Sequence, residues 1–152
     1  VLRFMYFKEQ YNEENPIGQY NGNMDDTLNS FIDVLNKRND FYDITVSYEN
    51  AMKSAYYLFD KYCFRKINSI NSRRPPINKL LMLCISVLLS EFKYEDVKEI
   101  YRKGELIEPL AEMLNNDYRL FEILTWSTNA RYNINKAMTA LRDSLFKKLF
   151  VK

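Results

Sequence analysis

The chain has 152 residues, with 22 Lys and Arg against 20 Asp and Glu, no His, and a formal charge of +2. That is the length of one domain, and 47% hydrophobic with 28% charged residues is the balance of a globular chain, not a disordered one. The small net charge makes no case for nucleic acid by itself, the lack of His removes the commonest general base and metal ligand, and 3 Gly with 4 Pro argue against a turn-rich β-fold.

Residues 1–24 read as an irregular N-terminal segment. Leu2, Phe4, Met5, Tyr6 and Phe7 form an apolar patch, either a short helix or strand on the domain or a docking segment. Asn12–Asn23, with Pro16, reads as loop. Residues 25–152 read as an all-helical interaction domain. A helix starts near Asp25–Thr27, where a side-chain oxygen can cap free N–H groups, and Leu28, Phe31, Ile32 and Leu35 line one face. Asn39–Val46 is a connector. Ser47 caps the next helix, whose buried side carries Tyr48, Ala51, Met52, Ala55, Leu58, Phe59 and Tyr62. Ile67 and Ile70 extend that side, with the helix running to about Asn68.

Pro75 and Pro76 suit the first turn of a central helix, where a missing N–H costs nothing. From Ile77 to Phe92 that helix is apolar on nearly every side, with Lys79, Ser86, Ser90 and Lys93 as a thin polar stripe. A helix of this kind is surrounded by others, so Leu80, Leu83, Ile85, Val87 and Leu88, with Leu124, are expected in the core. Tyr94, Val97, Ile100 and Tyr101 mark a shorter helix. Gly104 falls where a left-handed terminal residue is wanted. Leu106, Ile107, Leu110, Met113 and Leu114 mark the next helix, with Pro109 near its first turn and a turn at Asn115–Asp117. Leu120, Phe121, Ile123, Leu124 and Trp126 form another. Ile134, Ala137, Met138, Leu141, Leu145 and Leu149 give the last one an i, i+3/i+4, i+7 stripe. No segment alternates with period two. The class is all-α: a single right-handed superhelical or bundle domain of about seven helices, ARM/HEAT-like.

Cys63 and Cys84 fall in predicted helices and are expected as free, buried thiols in a reducing compartment. No run reaches the roughly 18–20 apolar residues of a membrane helix, so no membrane partner is expected and the location is intracellular. Val1 is not an initiator methionine, so the sequence is read as a piece of a longer chain that carries no statement on targeting.

Catalysis finds no support. The phosphate-binding glycine loop, the dinucleotide fingerprint and the nucleophile elbow do not occur. Two Cys without His make no zinc site. Glu13/Glu14, Asp25/Asp26 and Glu95/Asp96 are sequence neighbours that point apart on a helix, so they read as caps or solvated faces. The chain is therefore expected to be non-enzymatic, with no cofactor and no metal. Basic residues gather at Lys61, Arg65, Lys66, Arg73, Arg74 and Lys79, interleaved with Tyr62 and Phe64, and again at Arg142, Lys147, Lys148 and Lys152. Lys61 and Arg65 share a predicted helix face, which is either solvated or a nucleic-acid surface. Trp126, the one Trp, reads as core, or as the lining of a groove. Tyr94, Tyr101, Tyr118 and Tyr132 have the same two readings.

The stretch Arg73–Leu114 resembles the TFIIS N-terminal (LW) domain family, in particular the Iws/Spn-type transcription elongation factors. The shared features are Arg74-Pro75-Pro76, Lys79-Leu80 with Met82-Leu83, Asp96-Val97-Lys98-Glu99, and Gly104 ahead of Leu106-Ile107. Leu145–Phe150 resembles the family's closing segment. Gly104 to Trp126 also resembles an armadillo step. The resemblance implies a nuclear interaction domain that holds a peptide of an elongation factor or histone chaperone. The partner would be an acidic, aromatic-bearing peptide, bordered by Arg73, Arg74, Lys79, Tyr101 and Lys103, with the Trp126 surface as the alternative. A second resemblance, to viral Bcl-2-like proteins, rests on the apolar helix Leu80–Leu89 and implies an inhibitor of host apoptosis or signalling with a helix-binding groove. A helical nucleic-acid-binding domain is the third reading.

Overall fold

A computed structural model describes residues 1–69 and 73–151; Ile70 and Lys152, which figured in the expectations above, lie outside them. The described residues are all-helical and carry no strand beyond the isolated antiparallel pairing of Arg65 with Ile77. The α-helices are α1 (Leu2–Gln10), α2 (Met24–Leu35), α3 (Tyr42–Phe59), α4 (Lys79–Leu89), α5 (Tyr94–Ile100), α6 (Ile107–Asn116), α7 (Tyr118–Thr125), α8 (Arg131–Ala140) and α9 (Lys147–Phe150). Between α8 and α9 the chain makes a π-turn over Leu141–Leu145, closed by Phe146 N–H on the Leu141 carbonyl at 2.9 Å.

The centre is α4, packed by α1, α3, α8 and the π-turn. A solenoid touches mainly sequence neighbours, whereas α4 meets elements from both ends of the chain, so of the two expected builds this is the bundle. All six residues expected in the core are buried. The helix is capped not by the prolines but by Asn78, whose side chain accepts from Leu80 N–H at 3.1 Å and Leu81 N–H at 2.9 Å. An Asn side chain satisfies donors that proline merely lacks, and the Pro75–Pro76 pair stays in the connector ahead of the Arg65–Ile77 pairing. Ser86 and Ser90, expected in a polar stripe, are buried. Their hydroxyls turn back onto the carbonyls of Met82 (2.5 Å) and Val87 (2.6 Å), so no polar atom there is left unsatisfied.

The N-terminal segment is irregular only after Gln10. Phe4 and Phe7 of α1 are buried, and Tyr6, Phe7, Tyr20 and Phe31 form a set of edge-to-face contacts 5.1–6.5 Å apart. Lys8 ties α1 to Glu91 at 2.5 Å. Of the two readings of that patch, packing on the domain is the one that forms.

Asn23 caps α2 through Asp26 N–H. The next helix, α3, starts five residues before the expected Ser47, at Tyr42, and ends at Phe59 instead of near Asn68. Asp60 and Phe64 adopt φ of +48° and +60°, which stops the helix and folds the chain back towards α4. Lys61 and Arg65 therefore do not share a helix face. Ile32 and Ile100, expected on apolar faces, are exposed, because the core side of α2 is supplied by Met24 and Phe31 and that of α5 by Val97. Gly104 has the expected left-handed φ of +72°, and its N–H donates to the Tyr57 carbonyl at 2.8 Å. The stripe Ile134 to Leu149 is buried throughout. The π-turn adds a residue to one turn, which brings Phe146 into the core beside Phe59.

Candidate functional site

Trp126 is 72% exposed and is not a core residue. Helix α7 buries Leu120 and Leu124 and ends at Thr125. Trp126 then takes an extended backbone (φ −121°, ψ 143°) while its N–H still donates to the Glu122 carbonyl. At helical spacing Trp126 falls on the face of Arg119, Glu122 and Ile123, away from Leu120 and Leu124, so the indole lies outside the buried stripe. The following turn is held by Ser127 at φ +52° and by Asn133, whose side-chain amide donates to the carbonyls of Trp126 (3.2 Å) and Ser127 (3.0 Å). Tyr132, at the start of α8, is 69% exposed. A groove of about 470 Å³ runs between α7 and α8, lined by Arg119, Glu122, Ile123, Trp126, Tyr132 and Lys136.

The connector ahead of α4 lies against the other side of α7. Lys66 Nζ donates to Thr125 Oγ1 at 2.6 Å and sits 4.4 Å from the centre of the Phe121 ring, a cation–π distance. Partial burial there lowers its pKa. The Asn78 side-chain amide donates to the Leu124 carbonyl at 2.7 Å. Arg65 donates to the Pro75 carbonyl, bracing the segment that carries the exposed Arg73 and Arg74. Lys79, also exposed, is the residue after Asn78. The Arg3 guanidinium reaches Asn129 Oδ1, in the turn after Trp126, at 3.1 Å.

These contacts set Lys66 at the end of α7, and Arg119 and Lys136 line the groove that presents Trp126, while Arg73, Arg74 and Lys79 belong to the connector and helix start that Asn78 joins to Leu124. None of the six takes part in the ion pairs found among the described residues, which use Lys8, Arg38, Lys98, Arg142 and Lys148. The Trp126 groove is thus aromatic, with Arg119 and Lys136 as lining cations that join no ion pair among the described residues and Glu122 as a lining carboxylate.

The other expected site residues lie apart. Tyr101 is a buried packing residue, 3% exposed. Its hydroxyl faces the Leu145 carbonyl at 3.4 Å, its carbonyl accepts from the Tyr57 hydroxyl at 3.1 Å, and burial raises its pKa. It lines a separate cleft with Glu105, Lys147 and Lys148. Lys103 is exposed in the turn before α6. Of the remaining tyrosines, Tyr118 is 72% exposed and Tyr94 packs edge-on against Tyr57.

Lys66 stood only among the general basic residues, and Arg119 and Lys136 in no group. The signal for Arg119 was the spacing Arg119-Glu122-Ile123-Trp126, one helical face, followed by Ser127–Ala130, a composition that ends a helix, and that for Lys136 was its i+4 spacing from Tyr132. Asp25 and Asp26 lie in the first turn of α2, and Glu95 and Asp96 in that of α5, where negative charge meets free N–H groups. Among the described residues no group of three or more His, Cys, Asp or Glu is placed to hold a metal ion, and no helix is long and apolar enough to cross a membrane. Comparison with protein-family models, curated proteins and solved structures finds no match to this chain.

Proposed function

We propose that this chain is a non-enzymatic protein-interaction domain that binds an acidic, aromatic-bearing peptide on the Trp126 surface. The observation that carries the reading is the exposed Trp126–Tyr132 pair beside Arg119, Lys136 and Lys66, none of which joins an ion pair among the described residues. Exposed Trp and Tyr give large contact area at little conformational cost and are enriched at binding hot spots. Unpaired Arg and Lys around them steer an acidic ligand and raise its association rate. The peptide's aromatic side chain packs on Trp126 and Ile123, and its carboxylates meet Arg119 and Lys136 on one side and Lys66, Arg73, Arg74 and Lys79 on the other. Tyr101 and Lys103 are not part of this arrangement. The resemblance of Arg73–Leu114 to elongation-factor domains supports a transcription elongation factor or histone chaperone as the source of that peptide, and work in the nucleus.

Selection of a displayed peptide library on the folded chain, with Trp126→Ala as the counter-target, tests the reading. Acidic peptides with an aromatic residue are expected, and their binding falls roughly tenfold or more in the variant. Enrichment of amphipathic helical peptides indifferent to Trp126 would favour the apoptosis-inhibitor reading. No peptide, together with salt-steep binding of single-stranded DNA or RNA, would replace it with nucleic-acid binding, since cations and exposed aromatics also suit unpaired bases.

A further inference from the structure

Beyond Lys79, Met82 is the one residue of α4 that is not buried. It is where the otherwise enclosed central helix is reached from outside. Met82 lies in a cleft of about 320 Å³ between α1, α2, α3 and α4, within the range of small-molecule sites. Leu2, Leu28 and Tyr48 form its walls, and the buried Phe4, Leu83 and Ser86 its floor. The Ser86 hydroxyl is already turned onto the Met82 and Leu83 carbonyls, so the floor offers a ligand apolar contact only. The charged side chains lining the cleft are Arg3 and Lys79, and no carboxylate lines it. Arg3 is held in place by Asn129, and Lys79 takes part in no ion pair among the described residues.

An apolar slot with cations of one sign selects a ligand with an apolar tail and a single anionic head. We propose that this cleft binds a single-chain carboxylate amphiphile, a medium-chain fatty acid. The tail lies on Phe4, Met82 and Leu83, and the carboxylate sits between the Arg3 guanidinium, whose fork matches carboxylate geometry, and the Lys79 ammonium. The complementarity is what identifies the class: burying the tail supplies the affinity, and a buried or half-buried head group needs the paired cations to offset its desolvation. This site stands independently of the peptide reading, although Lys79 borders both.

Calorimetric titration with octanoate, decanoate and dodecanoate, each below its micellar concentration, tests the proposal. Affinity is expected to rise about fourfold per added methylene until the tail outgrows the cleft. Decanol should bind at least about tenfold more weakly than decanoate, the loss of a charge-assisted contact. Met82→Trp, which fills the slot, should abolish decanoate binding while the thermal melt is retained. Leu28→Phe gives a second filling variant should the first fail to fold. Lys79→Gln should weaken decanoate yet leave the increment per methylene unchanged. A flat chain-length series, or binding untouched by the filling variants, would overturn the site. Decanol bound as tightly as decanoate would overturn the carboxylate assignment and leave the cleft to an apolar side chain of a partner.

Discussion

Leu88→Ala is the sharpest probe of the bundle. Leu88 has no exposed surface and sits in the middle of the core around α4. The substitution removes three carbons, about 2.4 kcal/mol of transfer free energy at ~0.8 kcal/mol each. Neighbours on several helices cannot all close in, so a residual cavity of some 50 Å³ adds about 1.2 kcal/mol. The sum, about 3.5 kcal/mol, corresponds to a fall in melting temperature of roughly 7–14 °C for a chain of this size. Met82→Ala, at the cleft where solvent already reaches, should cost less than about 2 kcal/mol. Thermal and urea unfolding followed by far-UV circular dichroism measures both. A drop below roughly 3 °C in Leu88→Ala, or equal losses in the two variants, would refute the placement of α4 as an enclosed helix that past Lys79 is open at Met82.

Three further outcomes follow from particular contacts. Burial pushes the Cys63 thiol up to about 12 and raises that of Cys84, which is wholly buried, so neither should react rapidly with a thiol reagent in the native state at neutral pH; stoichiometric labelling without denaturant would contradict this. Gly18→Ala should destabilise by about 1–2 kcal/mol, since φ is +56° and an added Cβ would lie 2.5 Å from Gln10 Oε1 and 2.8 Å from Gln10 Cβ; an unchanged urea midpoint would show that this loop does not keep its left-handed turn. Glu105 accepts from the Arg102 backbone N–H at 2.6 Å and pairs with Lys148, which holds its pKa below the usual Glu value. A depressed folded-state pKa adds stability above the ordinary Glu range and loses it as pH falls through the folded value. Glu105→Gln should therefore be less stable than the parent at neutral pH and converge with it in acid, and parallel stability curves across that range would contradict the assignment.

Much of the fold is legible locally. The all-round apolar run of α4, the stripe from Ile134 to Leu149 and Gly104 at its turn follow from periodicity and backbone sterics acting over a few residues, and all three hold in the structure. Local pattern does not say which apolar residue finds a neighbour. Ile32 and Ile100 lie at helical spacing and find none, while Phe4 and Phe7, in a segment that reads as irregular, are buried. It also does not say where a helix stops when the stop is a positive φ at a non-glycine residue, as at Asp60 and Phe64, because long-range contacts sustain such conformations.

The Trp126 surface shows the division most clearly. Periodicity and composition alone give an amphipathic α7 and basic residues flanking the central helix. It is tertiary packing that covers the Leu120 and Leu124 face of α7 and so leaves the Trp126 indole in solvent. It also decided that Lys66 and Asn78 tie a distant connector to the end of that helix while Asn133 braces the turn beside Tyr132. Those partners stand 7 to 59 positions apart in the chain. Spacing along a helix carries information over one or two turns. Bringing such residues to one surface depends on which faces the core covers, and packing around α4 settles that for the whole chain at once.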